Sequence, residues 1–142
     1  MSLIQGPCDS FSLELLSAIH DFSTDTIKMA LYSSSAELGP STTAYSATNE
    51  ATGTAYSAGG VTLSGVALAK SRGVAYIDWT DAAWAASTIT ARGALIYNSS
   101  KSNRAIWVLN FGIDRISNNS TFTVAFPAAG PESSIIRLGA LR

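Results

Sequence analysis

The chain has 142 residues, 46% of them hydrophobic and only 13% charged, with a formal net charge of -1. That length fits one domain with a sizeable core, and the apolar fraction is too high for a disordered chain. Nine basic residues against ten acidic ones argue against an electrostatic grip on nucleic acid or an anionic membrane, whereas near-zero charge favours association with other protein.

In chain order, Met1 to Pro7 shows neither a basic n-region nor an apolar h-region, so no signal peptide is expected. No apolar run approaches the roughly 18 residues of a membrane span. A single cysteine, Cys8, leaves no internal disulfide framework, and points to a protein made in a reducing cytoplasm and held by packing. Residues 1–8 read as an N-terminal arm that orders on contact with a partner, and residues 9–142 as one β-rich domain. Phe11, Leu15, Ile19 and Phe22 recur at the spacing of one helical face, with Asp9 or Ser10 available as a cap. This predicts a short amphipathic helix over 9–22.

From Thr26 the period changes to two. Ile27, Met29 and Leu31 alternate with Lys28 and Tyr32, predicting a strand over Ile27–Tyr32 that the Ser33-Ser34-Ser35 run ends. The low-complexity stretch 41–60 holds two copies of one pentapeptide, centred on Tyr45 and Tyr56. Two copies are too few for a solenoid, so they read as extended pieces of one long loop or hairpin. Further strands are expected over Val61–Leu68 and Val74–Trp79, with the turn at Lys70 to Gly73 between them. Another is expected over Ser87–Asn98, where Gly93 signals a bulge or a close backbone approach. The turn Ser99–Asn103 leads to Ala105–Phe111, apolar on both faces. Thr121–Phe126 and Ile135 to Leu138 complete the pattern. Six or seven strands and one short N-terminal helix predict a mainly β fold, an antiparallel β-sandwich or barrel of jelly-roll-like kind.

Residues that carry chemistry are sparse. Cys8 and His20 are the sole pair with the nucleophile-and-base composition of covalent catalysis, yet nothing in the sequence activates the thiol. His20 reads better as a half-buried helix-end residue. His20, Asp21 and Asp25 are the nearest approach to a metal cluster and read instead as helix-end and turn residues. Asp78 and Asp81 flank Trp79, but two acids three apart do not reach both sides of a glycosidic bond. Trp79, Trp84 and Tyr76 are core or interface rings by default, with stacking on a sugar as the alternative. Arg92 inside an apolar strand calls for an acid partner on a neighbouring strand or subunit, or else sits on a solvated face. Gly59-Gly60 lacks the helix and lysine of a phosphate loop. The Asn-X-Ser/Thr triplets at Asn98, Asn118 and Asn119 read as turns. No enzyme activity, metal or cofactor is expected. Arg92, Trp107, Phe111, Trp79 and Trp84 are the candidate interface residues.

Five segments taken together carry a resemblance: Asp25 to Tyr32, Thr43 to Glu50, Ile89 to Asn98, Val108 to Gly112 and Phe126 to Ala129. In this order they resemble a family of small virion structural proteins of tailed bacteriophages, over about residues 9–138. The resemblance implies a part of the particle located in the virion and assembled in the host cytoplasm: a capsid decoration or cement protein, or a neck or tail component. It implies no catalytic residues. A decoration protein clamps the major capsid protein lattice, commonly as a homotrimer, and needs a compact β domain with apolar contact surface. Nucleic acid and membrane are not expected partners. The alternative is a module of a neck, tail or fibre appendage that binds a host-surface glycan.

Overall fold

The computed structural model describes residues 2–142. Its elements are β1 (Gly6–Pro7), α1 (Asp9–Leu16), β2 (Ile27–Tyr32), β3 (Gly53–Thr54), β4 (Val61–Thr62), β5 (Ala67–Ser71), β6 (Val74–Asp78), β7 (Ala82–Asn98), β8 (Arg104–Val124) and β9 (Ile136–Gly139). One sheet runs β1-β8-β7-β2-β4, with β3 also on β7, and a second runs β5-β6-β9. All strand pairs are antiparallel. The chain is thus mainly β, with two antiparallel sheets in a sandwich-like arrangement and one short helix, the class expected from its strand pattern.

The β7–β8 hairpin is the spine. Its turn at 99–103 closes with Ser102 and Asn103 at positive φ, where Asn is well tolerated. Ala94, Leu95, Ile96, Ala105, Ile106 and Val108 next to the turn are completely buried. Gly93 meets both expectations: the register slips between Ala91 and Gly93, and a Cβ there would collide with the Leu109 carbonyl oxygen. The pattern misleads over 112–120. Instead of two strands divided by turns, β8 runs unbroken from Arg104 to Val124. Gly112 and Asn119 take positive φ and are absorbed as bulges rather than turns.

The helix is half its expected length. Ala18 adopts φ 60, and the amides of Ala18 and Ile19 bond back to the carbonyls of Leu15 and Glu14, the C-terminal Schellman arrangement with alanine in glycine's usual place. The N-cap is Cys8, with no side-chain cap bond, rather than Asp9 or Ser10. β2 keeps its expected limits, yet Ala30 and Tyr32 are as buried as Met29 and Leu31, so both of its faces are covered. Val61–Leu68 divides at Gly65 into β4 and β5, which belong to different sheets. The β5–β6 turn is Arg72-Gly73, both at positive φ, as a two-residue hairpin turn requires.

The segment read as an N-terminal arm packs along its own domain. The Ile4 amide donates to the Leu38 carbonyl and the Leu38 amide to the Ser2 carbonyl, Gly6 and Pro7 pair with Val108 and Trp107, and Cys8 is wholly buried. Met1 lies outside the described residues. One contiguous core joins Leu3, Phe11, β2, β7 and β8 with Ile77, Trp79 and Ile136 of the smaller sheet and its flank.

Candidate functional site

β8 emerges from the core as a partly exposed ribbon, and a groove of about 580 Å³ lies between it and the segment after it. Leu109, Phe111, Phe122, Val124 and Ile135 form its apolar lining, with Ile116 and Arg115 also contributing. Ile116 is 70% exposed and Ile113 57%. Ile116 lines the groove and Ile113 does not, so the exposed apolar surface of the groove centres on Ile116 beside Phe111. Among the described residues, Arg115 has no ion-pair partner, and no strand pairs with the outer edge of β8 past Val108. The amide of Asn110, next along that edge, is taken by the Gln5 side chain at 3.0 Å.

The five candidate interface residues separate into three settings. Phe111 lines the groove and packs 6.4 Å from the Phe122 ring. Arg92 has its acid: Nε lies 2.8 Å from Asp114 Oδ1 across the bulge. With both side chains more than a third exposed, that pair contributes at most about 1 kcal/mol. Trp107 is half-buried opposite Pro7, and its indole Nε1 is buried without a hydrogen-bond partner. Trp79 and Trp84 are core residues, 4% and 5% exposed. Trp79 packs on Phe22 and Phe126, and Trp84 on Tyr56 and Phe122. Neither presents a ring face to a partner or a sugar. Asp81 accepts the Phe126 amide at 2.8 Å, a structural role for one of the two acids beside Trp79.

His20 is the hub of a buried polar chain. Asn98 Oδ1 accepts the Ser100 amide, which orients the amide group so that Nδ2 donates to His20 Nδ1 at 3.0 Å and to Asp25 Oδ2 at 2.7 Å. His20 Nε2–H therefore donates to Glu14 Oε1 at 2.9 Å, and Arg104 donates to Glu14 Oε2 at 2.7 Å. The imidazole stacks on Phe22 and tilts against Phe11. Both ring nitrogens are engaged, so His20 holds helix to hairpin rather than serving as a base. Burial, and then the nearby carboxylates of Asp9 and Glu14, push the Cys8 thiol up to about 12, which keeps it from being a thiolate nucleophile at neutral pH. Among the described residues no group of three or more His, Cys, Asp or Glu is placed to hold a metal ion.

Burial works against the charged form of Asp25. The Asp21 amide, the Asn98 amide group and the Lys101 ammonium outweigh it and hold the carboxyl at about 2. A carboxyl pKa lowered in the fold contributes stability above the unfolded value of about 3.9, and that stability is lost as pH falls through about 2. Acid unfolding between these limits is expected to flatten in Asp25→Asn, as read by circular dichroism against pH. An unchanged acid limb would contradict the assignment.

A second cluster went unread in the sequence. Glu50 lies between the two pentapeptides, and its carboxylate accepts Tyr45 Oη and Tyr56 Oη at 2.9 Å each and the Gly59 amide at 2.7 Å. Tyr56 Oη also accepts the Leu31 amide, and Tyr97 Oη donates to the Gly59 carbonyl at 2.6 Å. The pentapeptide repeat was the visible signal, and the acid midway between its tyrosines was the missing half of the motif. Comparisons with protein-family models, with curated proteins and with solved structures each find no match to this chain.

Proposed function

We propose that this chain is a structural protein of a tailed-bacteriophage virion, a capsid decoration protein that binds the major capsid protein lattice as a homotrimer and stabilises the head. The observation that carries the reading is the groove beside β8, where Phe111 and the 70% exposed Ile116 offer apolar contact surface on a compact β domain. A binder of this kind works by shape and apolar contact, with no need of net charge. The glycan-binding alternative loses two of its three candidate stacking rings, because Trp79 and Trp84 are buried, while Tyr76 is half-buried.

The test is co-sedimentation of the purified protein with expanded shells of the encoding phage. Wild type is expected to pellet with the shells, and Ile116→Asp to bind at least about tenfold more weakly, through loss of one central apolar contact made either to the shell or between the copies that bind it together. Ile116 is 70% exposed, so the variant is expected to unfold at the wild-type denaturant concentration. Wild-type protein that never pellets with shells, or an Ile116→Asp variant that binds as tightly, would sink the proposal.

A further inference from the structure

We infer that copies of this chain join head to tail, the free edge of β8 in one copy pairing antiparallel with the free edge of β5 in the next. Both edges are open among the described residues: β5 ends the smaller sheet, and β8 has no strand beyond Val108 on its outer side. An open row of amides and carbonyls is a template for strand pairing. β8 already shows this, since the same edge accepts Gly6 and Pro7 further back.

The side chains choose the partner. β5 reads Ala67-Leu68-Ala69-Lys70-Ser71, with its first four residues exposed. The β8 edge reads Ile113-Asp114-Arg115-Ile116-Ser117, exposed through Ile116. In an antiparallel pair, directly opposed residues share a face. Setting Asp114 opposite Lys70 of the next copy brings Ile116 opposite Leu68, Arg115 opposite Ala69 and Ser117 opposite Ala67. One register thus gives Lys70, which has no ion-pair partner among the described residues, a share in the Asp114 carboxylate, whose Oδ1 is held by Arg92. It also covers Ile116 and Leu68, 70% and 54% exposed in the single chain. Leu68 borders an almost wholly apolar cleft of about 140 Å³ between the smaller sheet, Leu15 and Phe22. The contact therefore joins the groove of one copy to the cleft of the next.

A β8–β8 contact about a two-fold axis is the competing arrangement. It allows only registers in which opposed residues have an even sum of residue numbers, because the axis keeps each residue on its own face. Those registers set Asp114 against itself, Arg115 against itself, or Ile116 against itself with both charges facing neutral residues. The complementary register needs two different edges, which makes the contact heterologous, and a heterologous contact gives a ring where its rotation closes and an open filament where it does not. The ring size of three rests on the reading as a homotrimeric decoration protein; the contact itself does not.

The test needs no shells, so it fails or succeeds independently of capsid binding. Sedimentation of the full chain is expected to show a concentration-dependent trimer. Leu68→Asp and Lys70→Glu are each expected to weaken assembly about tenfold or more, whereas Lys70→Arg keeps it. Both positions are exposed, so folding is not at stake. Leu68→Cys and Ile116→Cys chains, mixed under oxidised glutathione, are expected to cross-link to each other and neither to itself; opposed strand residues lie within disulfide reach, and buried Cys8 stays out of the exchange. A monomer at every concentration, a two-fold dimer, cross-links within either variant alone, or Lys70→Glu assembling like wild type would each overturn the inference.

Discussion

Glu14→Ala is expected to lower the stability of the fold by about 2–3 kcal/mol, the cost of orphaning a buried donor that bonds a charged acceptor. At this chain length, that is a drop of roughly 10 °C in Tm. Glu14 is 8% exposed, and its two oxygens take one proton from His20 and one from Arg104. His20 has a side chain with no exposure at all. Its Nε2–H would be left in the core with nothing to accept it, and water cannot reach it without opening the helix. Glu14→Gln keeps an oxygen toward His20 but turns an amide donor toward Arg104, so about half the loss is expected. Leu13→Ala and Leu16→Ala, on the same helix but 69% and 88% exposed, are expected to stay within about 0.5 kcal/mol of wild type. Urea unfolding of the four variants decides the matter: Glu14→Ala within 1 kcal/mol of wild type would mean that the network is ornamental.

That contrast also shows what the sequence conveys and what it conceals. Apolar spacing located α1 and drew Phe11 and Leu15 to the inside, because burial of one face is a property of local order. It overran the helix to Phe22, because the stop is made by Ala18 in a conformation that glycine usually marks, and no glycine stood there to be read. Alternation found β2 to the residue, and Gly93 announced its bulge, since a missing side chain in an apolar strand has few other uses. The same logic broke β8 in two at Gly112 and Asn119. Turn residues and bulge residues have the same chemistry, and only the long partner strand β7 decides between them. The interface residues follow this division. Arg92 was recognisable as a charge needing an acid, though Asp114 sits 22 residues away across a register shift that no local pattern encodes. Trp79 and Trp84 look alike whether they face a core or a partner. Their surroundings come from Phe22, Tyr56, Phe122 and Phe126, all distant in sequence. The groove beside β8 is assembled from the ribbon and the segment after it, so it exists only in three dimensions.

Glu50→Ala is the other substitution expected to cost heavily, about 3 kcal/mol, because hydrogen bonds to a charged group contribute about 1.5–3 kcal/mol each and this carboxylate is only partly buried. It accepts two phenols and one amide, and through Tyr56 it also reaches the Leu31 amide on the edge of β2. The loss should therefore be spread over the long 33–60 connection rather than confined to one contact. Amides of Ser33, Ala51 and Gly60, bonded within this region, are expected to lose hydrogen-exchange protection first. Single removals rank by what they orphan. Tyr45→Phe deletes one bond and leaves Glu50 with two donors, a loss of about 1 kcal/mol. Tyr56→Phe also strands the Leu31 amide and costs more. Glu50→Gln, whose oxygen still serves Tyr56 and Gly59, is expected near Tyr45→Phe. The cluster also sets an alkaline limit. Burial, and then the hydrogen bond and charge of Glu50, push Tyr45 from 10.0 to about 12. A raised phenol pKa contributes stability that is complete below the unfolded value of about 10 and is lost as pH rises through 12. Removing the carboxylate's charge with Glu50→Gln should shift the Tyr45 ionisation toward 10, followed by ultraviolet absorbance of the phenolate. If Glu50→Ala matches wild type in both stability and loop protection, the two pentapeptides are held by their backbone alone, and the acid between them is incidental.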